Sequence, residues 1–154
     1  MIEVFAVNTL VIGLAVAIHY EFLRHVSLIL PKIRLPHRAR IVLGVVLAMT
    51  AHAAEVWLFA LAYYWMHHAD GWGELQRNFD GSLLDCVYYS FTAYTTLGTG
   101  DIEPARRPAL LSGLESLIGL VLITWTASFL YLEMYATGTA LGVRSLIDDL
   151  GSIE

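Results

Sequence analysis

Residues 93–104, AYTTLGTGDIEP, bring oxygen ligands and unusual backbone freedom into a chain that is otherwise largely apolar. Gly98 and Gly100 occupy alternate positions, and glycine readily adopts backbone angles that other residues rarely reach. Alternation of this kind can turn successive carbonyl oxygens toward one side, and rings of such oxygens can replace the water around a monovalent cation. The hydroxyl of Thr96 would add a further ligand. Because one chain supplies only one side of each ring, the motif predicts closure by cyclic fourfold assembly.

The composition of the chain indicates that this motif belongs to a membrane protein. The 154 residues are 57% hydrophobic and 15% charged, which is too apolar for an ordinary soluble domain. The net charge of −5 argues against a nucleic-acid partner, and the single cysteine, Cys86, excludes an internal disulfide and a thiolate metal cluster. Residues 1–5 lack the positive start of a cleavable signal peptide, so we expect the first hydrophobic segment to remain in the mature protein.

Three segments are long enough to cross a hydrocarbon core, which takes about 20 helical residues. They are Val4–Leu30, Ile41–Met66 and Pro108–Tyr135. The linker after the first segment contains Lys32, Arg34, Arg38 and Arg40, and the positive-inside rule therefore places it in the cytoplasm. We expect a multi-pass protein of the plasma (cytoplasmic) membrane, with the N-terminus outside and the C-terminus in the cytoplasm.

The stretch between the second and third segments contains an apolar, aromatic run that is too short to cross the membrane. Ser82 followed by Asp85 resembles a capping box, with Asp in place of the usual Glu. We predict a re-entrant half-helix from Leu83 to about Tyr94, and the negative end of its dipole would favour a cation at membrane depth. Extended backbone after this helix is tolerated only where it is buried in protein or lines a water-filled path.

The sequence DCVYYSFTAYTTLGTGD, residues 85–101, resembles the pore helix and selectivity filter of pore-loop potassium channels. The sequence LESLIGLVLITWTASFL, residues 114–130, resembles the inner helix of that family, with Gly119 near the family's hinge glycine. The resemblance extends from about Ile41 to Ala136 and leaves the first segment outside it. It implies an all-α membrane protein with three transmembrane helices, a re-entrant pore helix and an extended selectivity filter, in the tetrameric potassium-channel pore architecture.

The segments and the resemblance together predict a division of the chain into parts. Residues 1–30 form an extra N-terminal transmembrane helix, 31–40 a basic cytoplasmic linker, 41–136 the pore module and 137–154 a short cytoplasmic tail. Within the pore module we expect an outer helix at 41–66, an extracellular turret at 67–81, a pore helix at 82–94, a filter at 95–101 and an inner helix at 108–135.

The implied function is passive conduction of potassium ions by a homotetramer in a lipid membrane, without enzymatic activity, without nucleic acid and without a cofactor other than bound K⁺. The residues that would coordinate the ions are Thr96, Leu97, Gly98, Thr99 and Gly100, with the carbonyls of the first four and the Thr96 hydroxyl binding K⁺. The alternative is a non-selective monovalent cation channel that conducts K⁺ and Na⁺.

Residues behind the filter are expected to support it: Asp101, Tyr88, Tyr89, Thr92 and Glu115. Glu115 begins the third segment and would bond Thr92 or a tyrosine hydroxyl. Thr99 occupies the position of a tyrosine or phenylalanine in strongly selective relatives, and it is too short to reach the pore helix as that aromatic does. Tyr88 and Tyr89 would compensate only through water or through Glu115 and Asp101, which predicts a preference for K⁺ with reduced discrimination.

On the third segment, a stripe at helical spacing contains Val121, Thr124, Ser128 and Leu132. In relatives the matching positions face a water-filled cavity, and we expect the same of Thr124, Ser128 and Leu132, with Gly119 as the hinge. Small hydroxyl residues at such positions also serve helix packing.

Ionisable residues interrupt both earlier segments. His19 and Glu21 lie in the first, together with Arg24 and His25, and His52 and Glu55 share one face of the second. Groups of this kind are expensive inside a membrane and point to function. From their positions, His19 and His52 should lie at similar depth. We define His19, Glu21, His52 and Glu55 as the polar seam; it would pack the extra helix onto the pore module or sense protons. Metal binding is the least expected role, because the six histidines show no metal-site spacing.

Two functions of other classes are open at this stage. A membrane-embedded hydrolase or metalloenzyme needs a nucleophile and base, or clustered His and Glu ligands, at one depth. Only His52, Glu55 and their neighbours fit that requirement. A non-conducting helper or signalling subunit would also fit, if the filter motif has degenerated.

Overall fold

The computed structural model describes the backbone of residues 2–151 and the side chains of residues 2–135 apart from His37. Within this range the chain forms four α-helices: α1 Ile2–Ile29, α2 His37–His68, α3 Leu83–Tyr94 and α4 Arg107–Gly151. A 3₁₀ turn, Leu30–Lys32, follows α1. Two short strands, β1 Gly73–Arg77 and β2 Ile102–Arg106, pair antiparallel. The predicted helical membrane architecture is confirmed, and a β-hairpin outside the long helices is added to it.

Three of the helices are long and apolar enough to cross a membrane. The qualifying spans are Ile2–Lys32, Arg38–His68 and Arg107–Tyr135. Large apolar side chains cover the outside of these helices, for example Leu10 and Leu117, which are each 62% exposed in the single chain. Such exposure is expected where hydrocarbon rather than water surrounds the protein, because lipid tails are as apolar as these side chains.

Two helix ends differ clearly from the sequence prediction, the start of α2 and the end of α4. Helix α2 begins at His37 rather than Ile41, because Pro36 lies at its N-cap position, so the linker between the first two helices is shorter than residues 31–40. Helix α4 continues to Gly151, where the sequence suggested a separate tail from residue 137. The chain has no proline after Pro108, so no helix-breaking residue of this type interrupts α4. Residues 152–154 of the predicted tail lie outside the described residues.

The predicted turret, residues 67–81, contains half of the hairpin. Gly73 pairs with Arg106 at one end of the hairpin, and Arg77 pairs with Ile102 at the other. The sequence of β1 does not alternate apolar and polar residues, because most of its residues are polar. Leu75 is the residue of β1 that is buried. The pairing joins the loop before α3 to the chain after the TTLGTGD motif, so both ends of the re-entrant segment are connected outside the helices.

The core lies where α3 packs between α2 and α4. Its largest fully buried side chains include Phe59, Tyr63 and Met66 of α2, Tyr94 of α3 and Leu111 of α4. Helix α1 adds a buried stripe on its inner face, with residues three or four positions apart: Val4, Asn8, Val11, Ala15, His19, Leu23 and Val26.

Gly119 marks the closest approach of α4 to α3. A Cβ atom at this position would lie 2.4 Å from the carbonyl oxygen of Tyr94. Only glycine therefore lets the two helices meet here, at the residue where α3 ends. The hinge role that the family resemblance implies for Gly119 is separate from this packing role and stays a prediction.

We expect Gly119→Ala to destabilise the protein by about 1–3 kcal/mol, because the added methyl group must push α4 away from α3. Gly113→Ala is the matched control, since a Cβ at Gly113 meets no atom within 4 Å and alanine favours helix by up to about 1 kcal/mol. Thermal unfolding in detergent, followed by near-UV circular dichroism, measures both. Equal melting temperatures for the two variants would contradict the packing argument.

Candidate functional site

Helix α3 begins with a side-chain cap. The Ser82 hydroxyl accepts a hydrogen bond from the backbone N–H of Asp85 at 3.1 Å, as predicted. In a full capping box, the Asp85 carboxylate would also accept a hydrogen bond from the backbone N–H of Ser82. Here it accepts instead from the backbone N–H of Asp80, at 3.0 Å. Ser82 N–H donates instead to the Asp80 carboxylate at 2.7 Å. Bonds from Ser82 lower the pKa of Asp80, so this start of α3 carries a stable negative charge at its positive dipole end.

The end of α3 organises the backbone that follows. The Thr92 carbonyl accepts hydrogen bonds from the N–H groups of Leu97 at 2.9 Å and Gly98 at 3.2 Å. Thr96 N–H donates to the Ala93 carbonyl at 3.0 Å. The last turn of a helix leaves such carbonyls without intrahelical partners. Here the chain turns back and uses its own N–H groups to satisfy them.

We call residues 95–101 the filter segment. Its backbone alternates in handedness, because Thr96, Gly98 and Gly100 have positive φ angles of 59°, 56° and 75°. Among residues 2–135, no hydrogen-bond donor reaches the carbonyl oxygens of residues 96–99. The side chains are also open, with Leu97 70% exposed. Carbonyl oxygens that lack donors in this way are open to a cation as a ligand.

The outer end of the filter segment is held through side chains around Thr99. Tyr88 donates a hydrogen bond to the Thr99 hydroxyl at 3.4 Å, which is long for an O–H···O bond. Thr99 in turn donates to the Asp101 carboxylate. This bond lowers the pKa of Asp101, so the outer end keeps a negative charge well below neutral pH. The expected route from Tyr88 through the Asp101 carboxylate is present, and the structure adds a direct but long contact between the Tyr88 and Thr99 hydroxyls.

Glu115 is buried behind α3, near the start of α4. Its carboxylate accepts hydrogen bonds from the Tyr63 hydroxyl at 2.5 Å and from the Ser90 hydroxyl. A tyrosine partner was predicted, but it is Tyr63 of α2 rather than a tyrosine of α3. The alternative partner, Thr92, is excluded, because its hydroxyl bonds the Tyr89 carbonyl of its own helix at 2.8 Å. Glu115 thus joins three helices.

Tyr89 links α3 to α4 directly, since its hydroxyl donates to Ser112 at 2.6 Å. One turn further along α4, the Ser116 hydroxyl donates to the Ala93 carbonyl at 2.8 Å. A groove of about 350 Å³ lies between these residues and the filter segment, and Thr99 is part of its lining.

A buried polar cluster joins α1 to the other three helices. His19 Nδ1 lies 2.8 Å from one oxygen of Glu55, and His52 Nδ1 lies 3.1 Å from the other. His19 and Glu55 are fully buried. The two imidazole rings are 5.3 Å apart, which confirms that they lie at one depth. The ligand atoms of these three residues lie within 4.8 Å of one another, so the sequence spacing underrated the cluster as a potential metal site.

Two further residues complete this cluster. The Tyr94 hydroxyl donates to Glu55 and lies 2.9 Å from His52 Nδ1. The Thr126 hydroxyl of α4 lies 3.0 Å from His52 Nε2 and 3.4 Å from His19 Nε2. We call His19, His52, Glu55, Tyr94 and Thr126 the proton cluster. It connects all four helices, and it lies directly behind the point where the filter segment begins.

Glu21 does not belong to this cluster, which corrects the predicted polar seam. Its carboxylate accepts a hydrogen bond from Arg24 at 3.0 Å and lies 3.7 Å from His25. All three side chains are more than half exposed. Glu21 is two positions after His19, so its side chain is rotated by about 200° around the helix and away from the core.

The predicted cavity stripe lies on the open face of α4. Thr124 and Ser128 are exposed in the single chain, and Leu132 is 64% exposed. The two hydroxyls bond carbonyls of their own helix, Thr124 to Leu120 and Ser128 to Thr124 at 3.0 Å. Neither therefore joins helices within one chain, and the cavity role stays a prediction.

Sequence analysis missed several residues that organise the site: Tyr63, Ser90, Tyr94, Thr126 and Arg77. A signal existed for two of them, because Cys86, Ser90 and Tyr94 recur every four residues along α3 and are all buried. Thr126 and Tyr63 had no such signal. Their roles depend on which face of α2 and α4 meets α3.

Comparisons with known proteins agree with this geometry. A family model described as "Ion channel" matches residues 51–134, which is more than half of the chain. Comparison with curated proteins and with solved structures finds no significant match. The matched region begins within α2 and ends within the spanning part of α4, so it includes the half-helix, the filter segment and the hairpin. The chain, a multi-pass membrane protein by its three spans, belongs to this ion channel family.

Proposed function

We propose that the protein conducts potassium ions passively through a pore that its filter segment lines. The observation that carries the proposal is the alternation of positive φ at Thr96, Gly98 and Gly100, together with carbonyls at 96–99 that have no donor among the described residues. This alternation turns neighbouring peptide units so that their carbonyl oxygens can point to the same side of the backbone. Rings of such oxygens replace the hydration shell of K⁺.

Four copies are needed for this proposal. One filter segment offers one side of each ring, and a closed fourfold ring is the simple symmetric solution for a pore-loop chain. The exposure of Leu97 and of the Thr124 face of α4 in the single chain supports burial of these surfaces against other copies or along a central path. In this homotetramer Thr124, Ser128 and Leu132 would line the inner cavity, with the basic linker on the cytoplasmic side.

Membership of an ion channel family favours conduction over the enzyme and helper alternatives. The remaining alternative is a channel that does not distinguish K⁺ from Na⁺. Thr99 supports reduced discrimination, because its bond to Tyr88 is long and the groove behind it is open. The inner rings at residues 96–98 lie beside the well-bonded end of α3, and this supports a retained preference for K⁺.

We also propose that the proton cluster makes channel activity depend on pH. The Glu55 carboxylate accepts bonds and does not donate, so both histidines direct Nδ1–H toward it or toward Tyr94. The single Thr126 proton can then serve only one of the two Nε2 atoms that face it. One added proton on the other Nε2 lets that nitrogen donate to Thr126, and every group in the cluster is then paired.

The first prediction concerns assembly. The protein in detergent should have a mass of four times the 17.1 kDa chain, because the filter segment needs four copies to close a ring. Native mass spectrometry or light scattering measures it. A conducting monomer or dimer would overturn the pore proposal.

The second prediction concerns selectivity. Reversal potentials with K⁺ on one side of the membrane and Na⁺ on the other should show a preference for K⁺ that is weaker than in relatives with an aromatic residue at the Thr99 position. A permeability ratio near one would replace the potassium proposal with the non-selective channel. Exclusion of Na⁺ as strict as in those relatives would refute the loosening effect of Thr99.

The third prediction concerns pH. Currents of the parent should differ between about pH 5.5 and about pH 8, the range in which histidine changes charge. His52→Gln should remove most of this dependence, because glutamine can donate to Glu55 but cannot gain a proton. His25→Gln is the control, since His25 is exposed on α1 and lies outside the proton cluster. An unchanged pH response in His52→Gln would exclude the cluster as the sensor.

A further inference from the structure

The β-hairpin meets the filter segment at its outer end. Strand β2 begins at Ile102, directly after Asp101, and Ile102 pairs with Arg77, the last residue of β1. The chain therefore places Arg77 beside the residues that close the filter segment. The next residue, Asn78, donates its backbone N–H to the Asp101 carbonyl at 3.1 Å, which gives one tie between the two stretches.

The Arg77 side chain gives a second tie. Its NH1 group donates a hydrogen bond to the Gly100 carbonyl at 3.1 Å, and its Nε lies 2.8 Å from the Glu103 carboxylate. The planar guanidinium group can serve both acceptors at once, which a lysine ammonium on its flexible stem does not do in the same geometry. Arg77 thus connects β1, the filter segment and β2 through one side chain.

The ion pair itself contributes little to this connection. Arg77 and Glu103 are 58% and 49% exposed, and solvent screens such pairs until they are worth at most about 1 kcal/mol. Glu103 instead orients the guanidinium group. The backbone of Arg77 also has a positive φ of 70°, a conformation that a residue other than glycine keeps only when its surroundings hold it there.

The filter segment needs an outer support of this kind. At this level, the side-chain bonds from α3 to the filter segment among the described residues come from Tyr88 alone: the long one to Thr99 and one to the exposed Asp101 carboxylate. The bond from Thr99 to Asp101 stays within the segment. The Gly100 carbonyl would consequently be free to rotate if Arg77 did not bind it, because glycine itself restricts the backbone least.

We propose that Arg77 is a positioning residue for ion selection, which fixes the outer end of the filter segment from the hairpin. This inference rests on the proposed function. According to this proposal, the hairpin of the same chain holds the end of the filter segment in place, as an aromatic side chain at the Thr99 position would otherwise do. The Glu103 carboxylate offsets the guanidinium charge near the proposed ion path.

Three variants of the whole chain distinguish the effect of the hydrogen bond from Arg77 to Gly100 from the effect of the positive charge. Arg77→Asn removes the charge and is too short to reach Gly100, and asparagine tolerates positive φ. Arg106→Asn is the matched control, because Arg106 has a φ of 63° and lies at the far end of the same hairpin, paired with Gly73. Arg77→Lys keeps the charge but loses the planar fork.

Two measurements are made on each variant in the same K⁺ buffer: amide hydrogen exchange of residues 97–102 and the K⁺/Na⁺ reversal potential. We expect exchange in Arg77→Asn to be faster by about tenfold or more, as for loss of a hydrogen bond to a charged group. The permeability ratio should fall toward one. Arg77→Lys should follow Arg77→Asn in both measurements, and Arg106→Asn should match the parent.

The outcomes distinguish the two proposals. Exchange that is unchanged in Arg77→Asn, or an Arg77→Lys variant that behaves like the parent, overturns the role of Arg77. A parent that does not distinguish K⁺ from Na⁺ overturns the potassium proposal. The exchange measurement then still decides whether Arg77 holds the segment.

Discussion

The backbone polar groups after a helix need hydrogen-bond partners, and this constraint shapes the structure around residues 95–101. The N–H groups of Thr96, Leu97 and Gly98 turn back onto the last carbonyls of α3. The carbonyls of residues 96–99 have no donor among the described residues. In the proposed pore, a dehydrated cation would bind those oxygens.

Buried carboxylates fasten the helices that surround the segment. Glu115 of α4 holds Tyr63 of α2 and Ser90 of α3, while Glu55 of α2 holds His19 of α1 and Tyr94 of α3. A buried carboxyl group is costly unless hydrogen bonds satisfy it, and here each one has partners on both oxygens. Because those partners come from different helices, rotation of one helix breaks bonds on the others. The end of α3 is thus coupled to both the first helix and α4.

The two ends of the filter segment are supported by different means. The end next to α3 is held by hydrogen bonds to the last carbonyls of that helix and by the close contact of Gly119 with Tyr94. Both lie inside the helix packing. The outer end of the segment depends on the exposed hairpin and on Thr99, whose bond to Tyr88 is long. Exposed polar bonds compete with water, so the outer end is the weaker of the two. This difference is consistent with the proposal of rigid inner rings and a less restrictive outer one.

Properties of single segments were accessible from the sequence. Hydropathy located three spans, the Ser82 cap located the start of α3, and the alternating glycines located the segment with unusual backbone. The common depth of His19 and His52 followed from the opposed directions of two helices. Each of these depends on local composition, on helical rise or on one residue's backbone freedom.

Partner choice was decided by the tertiary structure. Thr126 meets His19 across 107 positions of sequence, and Arg77 meets Gly100 across 23. Such contacts depend on the rotation of each helix about its own axis and on the register of a hairpin. A lipid environment weakens the sequence signal for that rotation, because the outward face of a spanning helix is as apolar as its inward face. The apolar pattern therefore established that Glu21 and His19 lie in one helix, but only packing determined that His19 faces the core and Glu21 does not.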